Sequence, residues 1–178
     1  MSQETIEHIR KVQQYLNRAI ANLMERARIH DASKLVEPEA SIFAEKTARL
    51  KGLDYGSDEY KQCLAEMKPA LDHHYSFNRH HPEHWAGGIK DMTLLDLIEM
   101  FCDWKAATER HATGDLSKSI ELNKKRFGYS DDLEAIFHRT RLELFPTHLE
   151  PWHCCGCGNG GAVSNFCEMC GAGKDDYK

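Results

Sequence analysis

The 178-residue chain predicts an all-helical main domain followed by a small metal-organised module. Three observations carry this reading. Apolar residues recur at three- and four-residue spacing through most of positions 1–145, no strand-like alternation breaks the pattern before residue 150, and five of the seven cysteines crowd into positions 154–170.

Taken in order, residues 4–28 place Ile6, Ile9, Leu16, Ile20, Leu23 and Ala27 at helical spacing and read as one long helix, with His8 near its beginning. Residues 33–50 read as a second helical region interrupted near Pro38, with Ile42 and Phe43 in the core, and the glycines at 52–56 end it. Ser57 is the N-cap of a third helix over 58–75, apolar along Tyr60, Leu64, Met67 and Leu71 and bent at Pro69. Residues 78–85, with Pro82 inside and Gly87-Gly88 following, read as a loop. Thr93 and Asp96 make a capping box for a helix over 94–112, apolar along Leu94, Leu97, Ile98, Phe101 and Trp104. Gly114 ends it. A helix over 116–127 follows, and Ser130 caps a last one reaching Phe145. A linker at 146–151 then separates the helical domain, 1–145, from a glycine- and cysteine-rich module at 152–174 that is too short to fold around its own apolar core.

Hydrophobic residues make up 41% of the chain and charged residues 29%, as in soluble globular proteins. The net charge of -5 gives no general electrostatic attraction for nucleic acid. No apolar run approaches the roughly 20 residues of a membrane span, so no membrane partner is expected. The polar start Met1-Ser2-Gln3-Glu4 is no signal peptide, and a cytoplasmic location is expected. Cysteines in metal-ligand spacing, with Cys63 and Cys102 alone in helical sequence, suit a reducing compartment better than a disulfide framework.

The chemistry is expected at Ile29-His30-Asp31-Ala32-Ser33-Lys34. Adjacent residues at a helix start point about 100° apart, so His30 and Asp31 can grip one cation from two sides. Lys34, three positions on, returns to the face of Asp31 and suits a phosphate oxygen. Further ligands are in supply: His8, His73, His74, His80, His81, His84 and the acids Asp96 and Asp103. Neighbours on one helix, His73 and His74 cannot both face the core equally, so one is expected as a ligand or substrate contact and the other as structural. Asp96 is explained as a cap; Asp103, mid-helix among apolar neighbours, is not. Imidazole with carboxylate suits Zn, Mn, Fe, Co or Mg alike. Lys105 and Arg126, on later helices, are further candidates for holding substrate phosphate, beside the plainer reading of solvated surface charges.

The order His8, then His30-Asp31 with Lys34, then a histidine group, then an acid inside a later helix resembles the HD superfamily of metal-dependent phosphohydrolases. The run from His30 to about Phe127, including His73-His74-Tyr75 and His80-His81-Pro82-Glu83-His84, is similar to an uncharacterised bacterial and phage family with an HD-like core. The resemblance implies an HD-like helical bundle holding one or two divalent cations, and a nucleotide or related phosphate ester as substrate. In a phage-encoded protein the location would be the host cytoplasm. Residue by residue, it implies His8, His30, Asp31 and Asp103 as a four-ligand core, with His74 and His81 or His84 as the extra histidines of two-metal members. Asp31, Lys34 and His74 would stand at the catalytic centre. Ala32-Ser33 replace the usual small residues between the aspartate and the lysine.

Cys154 with Cys157, and Cys167 with Cys170, form two CxxC knuckles whose spacing fits a closed, structural tetrahedral zinc site. Cys155 is then a spare thiol, and a register using it stays open. With Trp152 ahead, the module resembles a RanBP2-type zinc finger and, more loosely, a zinc ribbon. Gly158-Asn159 replaces the residue pair associated with ubiquitin contact, so the resemblance carries the zinc and not the partner. The leading expectation is a metal-dependent phosphohydrolase. The alternative is a non-catalytic protein that engages nucleic acid or another protein, with structural metals only. The oligomeric state is open.

Overall fold

The computed structural model of the protein describes residues 2–50, 53, 57–110 and 114–146, and all regular structure among them is helical. The α-helices are α1 (Gln3–Ile29), α2 (Glu39–Leu50), α3 (Asp58–Phe77), α4 (Leu94–Thr108), α5 (Leu116–Phe127) and α6 (Asp131–Leu144). Short 3-10 turns lie at Ala32–Leu35, Pro82–His84 and Gly88–Asp91. Among the described residues no helix is long and apolar enough to cross a membrane. The chain divides within α4 into two compact units, Met1–Asp103 and Trp104–Lys178.

In the first unit, Ser2 caps α1, its Oγ accepting from the Thr5 amide at 3.2 Å. The apolar stripe of α1, expected to face a core, does not: no residue of this helix is buried, and Leu16 is 58% exposed. Its link to α4 is polar instead. Arg26 Nη1 donates to Asp96 Oδ1 at 2.8 Å and to Glu99 Oε2 at 3.0 Å. Among the described residues the buried apolar side chains of this unit are Cys63, Met67 and Ala70 of α3, Pro82 of the following loop, and Met100 and Phe101 of α4. Helix α2 packs along α3, where Lys46 and Arg49 both donate to Glu66 Oε2. Ile42 and Phe43 are half-buried.

The capping box forms as its residues predict: the Thr93 amide donates to Asp96 Oδ2 at 2.8 Å and the Asp96 amide to Thr93 Oγ1 at 3.2 Å. Capping does not require burial, yet Asp96 is fully buried. Two guanidiniums, those of Arg26 and Arg79, hold it there. Burial pushes its carboxyl up, and Thr93 with the two arginines brings it down to about 2.

In the second unit, Asp115 caps α5, Gly128 ends it with a left-handed φ of 66°, and the Ser130 hydroxyl accepts from the Leu133 amide to start α6. The core is aromatic. The Trp104 ring lies 5.5 Å from Phe137, 6.3 Å from Tyr129 and 6.5 Å from Phe127, and the Tyr129 hydroxyl donates to the Ile120 carbonyl at 2.6 Å. Helix α4 stops at Thr108, short of the expected 112. The side chains of Tyr60 and Leu64 and the four-cysteine module with Cys154, Cys157, Cys167 and Cys170 lie outside the described residues.

Candidate metal centre

The site begins with a break in the backbone. Helix α1 ends at Ile29, and Asp31 takes a φ of 54°, the one positive φ at a non-glycine position among the described residues. A left-handed residue with a Cβ costs on the order of 1 kcal/mol, and such strain gathers at functional sites. Asp31 makes no side-chain capping bond to the turn that follows, so a cap is not what holds it there. Its carboxylate turns to other partners. Lys34 Nζ donates to Oδ2 at 2.6 Å, and the Nε2 atoms of three histidines surround the group.

His74 Nε2 lies 3.3 Å from Asp31 Oδ1, His80 Nε2 3.5 Å from the same oxygen, and His30 Nε2 3.6 Å from Oδ2. His81 Nε2 stands 2.9 Å from His74 Nε2, and Asp103 Oδ1 is 3.9 Å from His30 Nε2. Two donor groups result, Asp31 with His74, His80 and His81, and His30 with Asp31 and Asp103. They share one residue, Asp31.

The other edge of the His30, His74 and His80 imidazoles is held. Glu39, fully buried, accepts from His74 Nδ1 at 2.9 Å through one oxygen and from His73 Nδ1 at 2.6 Å through the other. Ser33 Oγ also donates to Glu39, at 3.0 Å. Glu99 Oε1 lies 3.1 Å from His30 Nδ1 and 3.2 Å from His80 Nδ1. A carboxylate only accepts, so each of these Nδ1 atoms carries a proton, and in the neutral imidazoles of His30, His74 and His80 the lone pair is then on Nε2, the nitrogen beside Asp31. The trio His30, His80 and Glu99 also lies close enough to hold an ion. Its separations are those of N–H···O bonds, and we assign Glu99 to orienting the rings.

A cation fits the remaining geometry. Asp31 Oδ1 and His80 Nε2 are buried, face each other and have no hydrogen-bond partner. Buried polar atoms are rarely left so. Donors about 2.1 Å from a tetrahedral ion stand about 3.4 Å apart, close to the separations found here. Burial raises the Asp31 carboxyl, and the His74 and Lys34 nitrogens beside it carry it well below the usual carboxylate range. Glu99 behaves likewise: burial raises it, and His30, His80 and Arg26 bring it far down. His81 is pushed down to about 3, by burial first and then by the neighbouring His80 and His74 imidazoles, which disfavour a second positive charge among them. At neutral pH it is therefore an uncharged imidazole, the form that binds a metal.

Of the residues singled out from the sequence, His30, Asp31, Lys34, His74, His81 and Asp103 come together, joined by His80. His8 does not. It sits exposed on α1, 22 positions before His30, which at 1.5 Å per residue is about 33 Å along one continuous helix. His84 is also set apart: its Nδ1 contacts the Tyr75 carbonyl at 2.8 Å and its ring packs on Trp85, which makes it a brace for the loop. Lys105 and Arg126 belong to the second unit. There Lys105 donates to Glu109 at 2.6 Å and lies over the Phe145 ring, and Arg126 lies over the Phe127 ring. Glu39 and Glu99 were not anticipated. For Glu99 a signal existed, because it precedes Asp103 by four positions and shares its helix face. For Glu39, an acid in a first helical turn, none did.

The protein was compared with known families, curated proteins and solved structures. The model of a family described as a family of unknown function (DUF5662) matches residues 1–147. No curated protein and no solved structure matches the chain.

Proposed function

The chain belongs to the DUF5662 family, and from the arrangement of its own residues we propose that it is a metal-dependent phosphohydrolase acting on a nucleotide or related phosphate ester. One observation supports this above the others: a single carboxylate, Asp31, is common to two donor groups, and its Oδ1 faces His80 Nε2 with both atoms buried and unpartnered. His74, His80 and His81 with Asp31 would hold one divalent cation, and His30 and Asp103 with Asp31 a second. The first group, rich in imidazole, suits Zn, Fe, Co or Mn, and the second, richer in oxygen, suits Mn, Fe or Mg. Such cations, when bound, polarise a phosphoryl oxygen and lower the pKa of water toward about 7.

The chain's own groups supply the rest. Glu39 and Glu99 fix which imidazole nitrogen faces the centre, so the donor atoms are oriented before any ion arrives. Lys34 Nζ, one-third exposed beside Asp31, offers a cation to a phosphate oxygen at the rim. Hydrolysis would break a P–O ester bond, with water supplying the new P–O bond and a proton passing to the leaving alcohol. The four C-terminal cysteines would bind a structural zinc apart from this chemistry.

The test is metal content and turnover measured together, over nucleoside mono-, di- and triphosphates and cyclic dinucleotides with Mn, Co or Mg. Wild type is expected to retain metal beyond the cysteine-bound zinc and to hydrolyse at least one ester. Asp31→Asn should keep the fold, because Asn tolerates a left-handed backbone as Asp does, and lose the metal and at least about 100-fold in rate. Lys34→Ala should keep the metal and lose about 10- to 100-fold. Metal retained without turnover on any ester would favour a binding protein with structural metals.

A further inference from the structure

The nitrogens that face Asp31 define one side of the histidine cluster; a separate pocket lies against the other. This cavity of about 450 Å³ is lined by Asn22, Arg26, Asn78 and Arg79, by the Glu25 and Glu99 carboxylates, which pair with Arg28 and Arg26, and by the back of the His80 ring, with Ile29 and Phe77 as its apolar walls. Asp31, Lys34, His81 and Asp103 do not line it. Its lining includes groups that touch the Nδ1 edges: Glu99 toward His30 and His80, and Asn78, whose Nδ2 is 3.0 Å from His74 Nδ1. The pocket therefore backs onto the centre from behind and is distinct from the face on which a phosphate ester would meet Lys34.

We propose that this pocket is a second ligand site, for a small organic anion that carries its phosphate or carboxylate on a flat apolar body. The donors argue for the anion. Arg26 spends Nε on Asn22 Oδ1 and Nη1 on Asp96 and Glu99, while Arg79 spends Nε and Nη2 on Asp96. Arg26 Nη2, Arg79 Nη1 and the Asn22 amide nitrogen make no hydrogen bond among the described residues, so three donor groups around one cavity are unspent. Two of them are guanidiniums, the side chains best matched to a carboxylate or phosphate edge. Both already share the buried Asp96, which fixes where they stand. The apolar body is argued by the walls, since Phe77 is 67% and Ile29 47% exposed beside these donors. A ligand bonded to Arg26 engages the guanidinium that holds Glu99, so its occupancy reaches His30 through Glu99 and His80 both through Glu99 and along the edge of its ring that lines the pocket.

The site is tested by calorimetric titration of the full-length Asp31→Asn, Lys34→Ala double variant, which lacks both the carboxylate common to the two donor groups and the ammonium assigned to phosphate at the metal face. The probes are phenyl phosphate, benzoate and inorganic phosphate. At least one of the two organic anions is expected to bind saturably at one site, and the tighter of the pair names the anion. Adding Arg79→Gln should weaken it at least about tenfold. Adding Phe77→Ala should weaken the organic anions by about tenfold while changing inorganic phosphate less than about twofold. Should Arg79→Gln fail to fold because it strips Asp96 of a partner, Asn22→Asp on the exposed face of α1 makes the same test by placing a like charge at the pocket. Absence of saturable binding of both organic anions, or binding indifferent to these changes, overturns the proposal. Wild-type protein that hydrolyses nothing while this binding persists would end the hydrolase reading and leave the pocket standing.

Discussion

Asp31 stands in an unfavourable backbone region, carries a buried oxygen without a partner and is common to both donor groups. The first two of these features cost the fold free energy, and a bound divalent ion would remove the second. Glu39 offers a sharper test of orientation. Glu39→Gln keeps the shape but can present an amide N–H to His74 Nδ1, which then releases its proton to Nε2 and turns the ligand away from its lone-pair form. Metal affinity is expected to fall about 10- to 100-fold, read by competition with a chelator, with the helical circular dichroism unchanged. Unchanged affinity would assign Glu39 to packing alone. Single residues were also where the sequence was least legible. His30-Asp31 announced itself as a pair of ligand types at a helix end, whereas Glu39 meets His74 only through the packing of α2 on α3, across 35 positions of chain. Residue type cannot report that meeting.

At the scale of elements, helix boundaries followed from local rules and were readable. Ser130, Gly128 and the Thr93–Asp96 box act through neighbours three or four positions away, which any sequence displays. What could not be read was which helices lean on which: the stripe of α1 looked like a core face and is exposed. His8 failed for a related reason, since order along the chain says nothing of distance until the helix is known to be unbroken. The loop 78–85 shows the opposite case, where dense histidines divide by function. His80 and His81 face the cluster, while His84 is bonded to the Tyr75 carbonyl and Trp85 Nε1 donates to the Arg79 carbonyl. His84→Ala is expected to cost about 1 kcal/mol in thermal stability and to lower metal affinity modestly without changing stoichiometry. His81→Ala should lower the stoichiometry itself. Equal loss of bound metal in both, by elemental analysis, would return His84 to the ligand set.

For the whole molecule, the shifted groups fix how stability depends on acid. His81 titrates at about 3 when folded against an ordinary 6.5, so the unfolded chain binds more protons between those values and stability falls as pH drops through that window. Asp96, at about 2 against 3.8, and Asp31, Glu39 and Glu99, all lowered, add losses of the same sign at lower pH. His30 acts oppositely: Glu99 raises it, so its contribution is present below 6.5 and is lost as pH rises through the raised value. Chelator-treated protein is therefore expected to melt at progressively lower temperature from pH 6.5 to pH 4 and further below it, with Asp96→Asn flattening only the part of the curve below about pH 4. A melting temperature independent of pH over that range would contradict the ionic description of the first unit.

Helix α1 extends about 40 Å with none of its residues buried, and among the described residues its side-chain bonds to the rest of the first unit lie in its last turns, at Arg26 and the adjoining His30. Amides along such a rod exchange with solvent by fraying, at little free-energy cost, while those over the Cys63–Ala70 core of α3 must wait for the unit to open. Deuterium uptake should accordingly run as a gradient, complete within seconds near Gln3 and slowing toward Ile29. Loading the centre with metal should steepen it from the C-terminal end alone, so that the helix reports through its isotope pattern whether the site at its foot is filled.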